Sequence, residues 1–194
     1  MRLITLLSAP LLSFLFVASP LLAQPRWTAE VRGGVNVAVD EFASVDLHTG
    51  AGLEIGLAAR VAPDLFVYGA WDWQHREVKT QLFGTKADVE DTGYAFGLRY
   101  DAPLSPRAKP WVRAGGIFNH VEIENDDAGD LIADSKHTLG FEAGGGLDVT
   151  LNDRWSVTPG VRYRWFEPKV RSGGAESSST LSYVTFDIGI ALKF

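Results

Sequence analysis

The last thirteen residues, SYVTFDIGIALKF from Ser182 to Phe194, decide the fold. Counting back in twos from Phe194 gives Leu192, Ile190, Ile188, Phe186 and Val184, while the other parity gives Lys193, Ala191, Gly189, Asp187 and Thr185. Bulky apolar groups share one face, and small or charged groups share the other. Successive side chains of a strand alternate between its faces. The pattern predicts a strand whose apolar face meets lipid and whose polar face lines a barrel interior.

The pattern repeats along the chain, giving eight segments in all. The expected strands are Trp27–Val39, Ala51–Val61, Leu65–Glu77, Thr92–Tyr100, Pro110–Glu122, Leu139–Leu151, Trp155–Trp165 and Ser182–Phe194. In the fourth, for example, Tyr94, Phe96, Leu98 and Tyr100 oppose Gly93, Ala95, Gly97 and Arg99. The fifth is the least regular. With Arg113 inward, Trp111 and Ile117 also turn inward, and a bulge near Gly115-Gly116 is expected to reconcile them. Pro159 interrupts the seventh, removing one ladder donor, and a second bulge is expected there.

Three connections are short: Ala62–Asp64, Asp101–Lys109 and Asn152–Arg154. Four are long and polar: Asp40–Gly50, Val78–Asp91, Ile123–Thr138 and Glu167–Ser179. Short turns at one end and long loops at the other predict an all-β fold, an eight-stranded antiparallel up-and-down transmembrane β-barrel, with periplasmic turns and extracellular loops. A sheet satisfies every backbone group within lipid by closing on itself. A soluble barrel of this size would point its charges outward, whereas here the charges share a face with glycines. The expected lumen holds Glu30, Glu54, Asp72, Glu142, Asp148 and Asp187 with Arg32, Arg60, Arg76, Arg99, Arg113, Arg162, Arg164 and Lys193. An eight-stranded interior is just wide enough to be filled by side chains, so this charge network predicts a plugged barrel. Trp27, Tyr100, Trp155 and Phe194 fall at the expected periplasmic end, and Trp73, Phe118 and Trp165 toward the outer end, where rings suit the membrane interface.

The N-terminus, MRLITLLSAPLLSFLFVASPLLAQP, carries Arg2, a long apolar stretch and Ala23 before Gln24-Pro25. This layout predicts a secretory signal peptide over residues 1–23, cleaved after Ala23, and a mature domain over 24–194. Leu3–Ala23 is long enough for a membrane anchor, but Pro10 and Pro20 interrupt it. Without Arg2 the chain has 17 basic and 24 acidic residues, a net charge of -7, which argues against a nucleic-acid partner. There is no cysteine, so disulfides and thiolate chemistry are excluded.

The whole expected mature chain resembles the small Gram-negative outer-membrane β-barrel superfamily: opacity-type porins, OmpX- and OmpW-like proteins and the OmpA transmembrane domain. The resemblance rests on the strand pattern, on GYAFGLRYDAP and KPWVRAGGIFNH, and on the terminal ALKF. It implies an outer-membrane location and contact with lipid and lipopolysaccharide. It also implies a C-terminal signal read by the barrel-assembly machinery, carried here by Phe194, Leu192 and Ile190, although the position two before the end is often Tyr and is Leu here. No peptidoglycan-binding domain is expected after Phe194. A monomer with four outer loops, no cofactor and a structural or surface-interaction role is the expectation. A small porin-like channel, or a transporter of small hydrophobic molecules, is the first alternative.

Lipid A-modifying outer-membrane enzymes share this architecture, which makes lipid A modification the remote alternative. His120 in FNHVEIEN is the most suggestive of His48, His75, His120 and His137. The deacylases carry a serine two residues after their histidine, and Glu122 stands there instead. Glu124, Asp126, Asp127 and Asp130 offer oxygen ligands for a hard cation but lack an EF-hand spacing, so a solvated acidic loop is expected. KVRSGGAESSS reads as a flexible loop and lacks the phosphate-loop pattern.

Overall fold

The computed structural model describes residues 25–43, 45–79, 86–125, 130–172 and 175–194. The expected signal segment, and Asp126 and Asp127 of the third loop, lie outside the described residues. Eleven strands follow in chain order: β1 (Trp27–Ala38), β2 (Gly50–Ala62), β3 (Leu65–Glu77), β4 (Ala87–Asp101), β5 (Ala108–Asn125), β6 (Leu131–Ser135), β7 (Thr138–Thr150), β8 (Trp155–Phe166), β9 (Lys169–Ser172), β10 (Ala175–Ser178) and β11 (Leu181–Lys193). Eight of them close a ring in the order β5, β4, β3, β2, β1, β11, β8, β7 and back to β5, every pair antiparallel. The closing seam runs in constant register from Thr28↔Lys193 to Ala38↔Tyr183. The fold is the eight-stranded barrel that the alternation predicts.

Outward residues such as Val112, Ile188 and Ile190 are more than half exposed, and in a membrane that exposure is contact with acyl chains. On β11 and its last residue the outward apolar positions run from Val184 to Phe194, which at ~3.3 Å per residue and ~40° tilt makes a band about 25 Å high. That matches the ~25 Å apolar band of outer-membrane barrels. Periplasmic turns are tight. Pro63 and Asp64 join β2 to β3, with Asp64 at φ 60°, a left-handed conformation that Asp tolerates. Asn152 Oδ1 accepts the backbone N–H groups of Arg154 and Trp155, both at 3.0 Å, closing the last turn.

Two expected bulges do not occur. The β4–β5 register is unbroken from Ala87↔Asn125 to Asp101↔Trp111, and β5–β7 from Ala108↔Val149 to Asn119↔Thr138. Trp111 and Ile117 face inward and are buried, which removes the need for a bulge at Gly115-Gly116. Pro159 pairs with Ile188 in register on the β11 side. On the β7 side the ladder skips Leu147↔Pro159 and Asp148↔Thr158, then resumes in the same register. Proline removes a donor there without adding a residue. The only register shift among the barrel's described strands lies between Arg60 and Ala62, beside the first turn.

Strands also extend further outward than expected. β4 starts at Ala87 instead of Thr92, and β5 reaches Asn125. The third and fourth long loops contain β6, β9 and β10, which continue the sheet from β5 above the barrel wall. In this extension the polarity inverts. Val89, Val121, Ile123, Ala133 and Val170 point inward and are buried, whereas Glu90, Glu122 and Asp134 sit on the other face. Above the bilayer the outside is water, so the ordinary apolar-in rule returns.

Candidate functional site

The lumen is filled in three polar layers and one apolar layer. At the periplasmic end Lys193 Nζ lies 2.9 Å from Asp148, and Arg99 pairs with Asp101 (2.7 Å), Asp148 (3.5 Å) and Glu30 (3.6 Å). Arg60 lies over the Phe66 ring at 5.1 Å. Arg60, Phe66, Arg99, Asp101, Asp148 and Lys193 line a cavity of about 220 Å³ at the periplasmic mouth. Trp111 stands on its inner side, sandwiched by Arg32 at 4.7 Å and Arg99 at 5.1 Å. Glycine makes the room. A Cβ on Gly160 would stand 2.6 Å from Trp111 Cζ2, and one on Gly146 would stand 2.7 Å from it.

The middle layer is centred on Glu54. Its carboxylate accepts from Arg113 at 2.8 and 2.9 Å, from Arg164 at 3.0 Å and from Arg162, with Arg32 Nε 3.9 Å away. Arg164 also bridges Glu142 (2.9 Å) and Asp72 (2.5 Å), and Arg162 bridges Asp187 (2.6 Å). Arg32 pairs with Asp187 (2.7 Å) and Glu30 (2.9 Å) and donates to the Thr158 carbonyl at 3.2 Å, beside the interrupted ladder. Tyr68 donates to Glu142 at 2.6 Å. Planar guanidinium forks suit this sharing, because each can serve two or three carboxylates at once.

In the upper layer Arg76 pairs with Asp91 at 2.7 Å and stacks on Tyr183 at 3.9 Å. Asn119 Nδ2 bridges Asp72 and Asp91 at 3.1 and 3.0 Å, and Asn36 donates to Gln74 at 3.0 Å. Above it the apolar layer joins Phe42 and Leu47 of the first loop to Val89, Val121, Ile123, Phe166, Val170 and Leu181. Phe42 is 0% exposed although it belongs to a loop. The first loop is fastened by Ser182 Oγ donating to Asp40 (2.6 Å) and by Ala43 N–H donating to Ser179 Oγ (2.7 Å).

The structure therefore brings the six expected acids and the expected bases Arg32, Arg76, Arg99, Arg113, Arg162, Arg164 and Lys193 into ion pairs with one another or with Asp91 and Asp101, and sets Arg60 over Phe66. Asp91 and Asp101 raise the expected six acids to eight, facing the eight expected bases. Asp91 lies in a stretch expected to be loop, so it falls outside the expected network, whereas Trp111, Tyr68 and Tyr183 are inward rings that carry no charge to mark them as members of it. Their parity with Arg113, Asp72 and Asp187 was the available signal.

On the outer wall, His75 Nδ1 lies 3.2 Å from Glu90 and His120 Nε2 lies 3.2 Å from Glu122. Ser135 faces the other side of the sheet from His120, and its Oγ accepts the Val121 N–H at 2.8 Å. Phe194 and Ile190 face outward and are exposed, with Leu192 on the same face.

The chain covers 87% of itself and 97% of Neisserial surface protein A, with a TM-score of 0.65 at 17% identity. OprG of Pseudomonas aeruginosa gives 0.59 at 16% identity, over 88% of this chain and 97% of that one. Ail, the attachment invasion locus protein of Yersinia pestis, solved with the heparin analogue sucrose octasulfate, gives 0.55 at 12% identity, over 88% and 99%. These likenesses show the fold alone. No curated protein sequence matches the chain significantly. Residues 8–194 match the family model of the outer membrane protein beta-barrel domain, and the chain belongs to that family of Gram-negative outer-membrane barrels.

Proposed function

We propose that this outer-membrane barrel is a non-conducting, non-enzymatic anchor that presents its extracellular sheet to partners outside the cell. The observation that carries the reading is the double closure of the lumen, by the Glu54-centred ion pairs and by the apolar layer under Phe42 and Leu47. A steady aqueous path would have to break both. Lipid and lipopolysaccharide are the partners of the outward wall, the barrel acts as a monomer, and Phe194, Leu192 and Ile190 serve as its assembly signal. The loops meet an extracellular ligand through β6, β9 and β10. Against catalysis, His120 and Ser135 lie on opposite faces of one sheet, so no serine–histidine pair forms there.

Planar-bilayer recording tests the reading. The refolded barrel should show no steady conductance above the lipid background, and an ohmic current would overturn it in favour of a porin. Deleting Lys169–Ser178 should abolish attachment to host surfaces or heparin beads, the latter chosen from the Yersinia complex, while leaving heat-modifiable gel mobility intact. One observation favours a second reading, lateral passage of small hydrophobic molecules. The interrupted ladder at Pro159 opens onto a wall dimple lined by Gly33, Gly145, Leu147 and Ile188. Arg32 stands directly behind it, with Nη1 3.3 Å from where a Gly160 Cβ would be. Accelerated uptake of an alkane into proteoliposomes would support passage.

A further inference from the structure

The outward face of the sheet extension gathers imidazoles and carboxylates that the closed-lumen reading does not use. His120 and Glu122 stand on one face of β5 with Nε2 and Oε1 3.2 Å apart. Asp134 of β6 is the cross-strand partner of Glu122 and is exposed. His137, in the short connection from β6 to β7, brings its ring to 4.6 Å from that of His120, tilted by 39°, with Phe118 behind it at 4.9 Å.

Two features of this cluster ask for a cation. Carboxylates directly opposite on neighbouring strands have Cβ atoms ~5 Å apart and repel, and Glu122 faces such a neighbour on each side, Glu90 and Asp134. Glu90 is engaged by Trp73 Nε1 (3.1 Å) and His75 (3.2 Å), and the Arg171 that pairs with Asp134 across the strands holds Glu176 at 2.7 Å. The second feature is His120 Nδ1, a ring nitrogen shielded from solvent and without a protein partner.

We propose that His120, His137 and Glu122, with Asp134 as the fourth group, bind a single borderline divalent cation of the zinc type. Zinc takes imidazole nitrogen at ~2.0–2.1 Å and carboxylate oxygen at a similar distance in a tetrahedron. Two rings on one such ion have centroids roughly 5 Å apart, close to the 4.6 Å observed. Among the described residues no three such groups already converge on one point, so the site closes by side-chain rotation. Glu122 is 43% exposed and has the freedom to turn. A bound ion would neutralise the facing carboxylates and clip the β6–β7 connection onto β5, stiffening the extracellular sheet where it leaves the wall.

The test is calorimetric titration of Zn²⁺ into the chelator-stripped, full-length refolded barrel at neutral pH. One ion per chain is expected. His120→Gln and His137→Gln should each weaken binding at least tenfold, and His48→Gln and His75→Gln should change it less than twofold. Folding of each variant is checked by heat-modifiable mobility, and Cu²⁺ electron paramagnetic resonance of the wild type should show coupling to two nitrogens. Absence of one-to-one binding by the wild type, or binding that survives both key substitutions, overturns the site.

Discussion

Glu54→Gln is the sharpest perturbation of the lumen. Glu54 is buried at 3% exposure and serves Arg113, Arg162 and Arg164 directly, with Arg32 at 3.9 Å. Glutamine keeps the shape and one acceptor but removes the charge. Each guanidinium–carboxylate attraction at ~4 Å between charge centres amounts to about 4 kcal/mol at an effective dielectric of ~20, and much of that offsets desolvation. Breaking a buried pair by removing one partner costs about 3–5 kcal/mol, because the other charge stays buried. Three direct partners are left here, although Glu142, Asp72 and Asp187 retain part of their field. The expected loss is therefore about 3–5 kcal/mol. The assay is reversible urea unfolding in lipid vesicles, followed by gel mobility and tryptophan emission. Asp46→Asn supplies the control, since its partner Lys79 lies 3.6 Å away with both side chains about half exposed, and such pairs contribute ~0–1 kcal/mol. A Glu54→Gln loss no larger than the control would refute the reasoning, because the ion pairs would then be solvated and the lumen open.

Gly160→Ala should cost about 1–3 kcal/mol by forcing Trp111 from between Arg32 and Arg99, and the same unfolding assay reads it. Phe42→Ala should leave barrel mobility on gels unchanged while speeding proteolysis of the first loop, because Phe42 anchors that loop in the apolar layer. Beside Arg171, Glu176 is held below the usual carboxylate range. The charge pair between β9 and β10 is then fully present above the unfolded glutamate value of about 4.3 and is lost as pH falls through the lower folded value. A carboxyl carbon NMR titration of Glu176 should show a midpoint below the ordinary glutamate value of about 4.3.

The wall was legible because lipid imposes a strict rule: Tyr94, Phe96 and Leu98 outward, Arg99 and Ala95 inward, with no exceptions that bonding would tolerate. The same rule misled above the bilayer. Glu90 and Glu122 alternate with Val89, Val121 and Ile123 as in a soluble strand, so a reading that required apolar residues outside ended β4 and β5 too early. Trp111 keeps the inward parity that it shares with Arg113, and no bulge is needed to hold it there. Cation–π contacts with Arg32 and Arg99 let a large ring live among charges, provided Gly146 and Gly160 give it space from strands distant in sequence. The charges of the network were visible in β-strand parity, but their partners were not. Glu54 meets Arg113, Arg162 and Arg164 only because closure of the ring brings β2 to face β5 and β8.

Which way the wall residues point is measurable without mutation. In nanodiscs carrying a lipid labelled with a nitroxide near the end of its acyl chain, methyl signals of outward Ile188 and Ile190 should broaden strongly. The methyls of inward Ile117 and Ala95, enclosed by the barrel, should stay sharp. Equal broadening of both sets would contradict the barrel orientation and the sealed lumen built upon it.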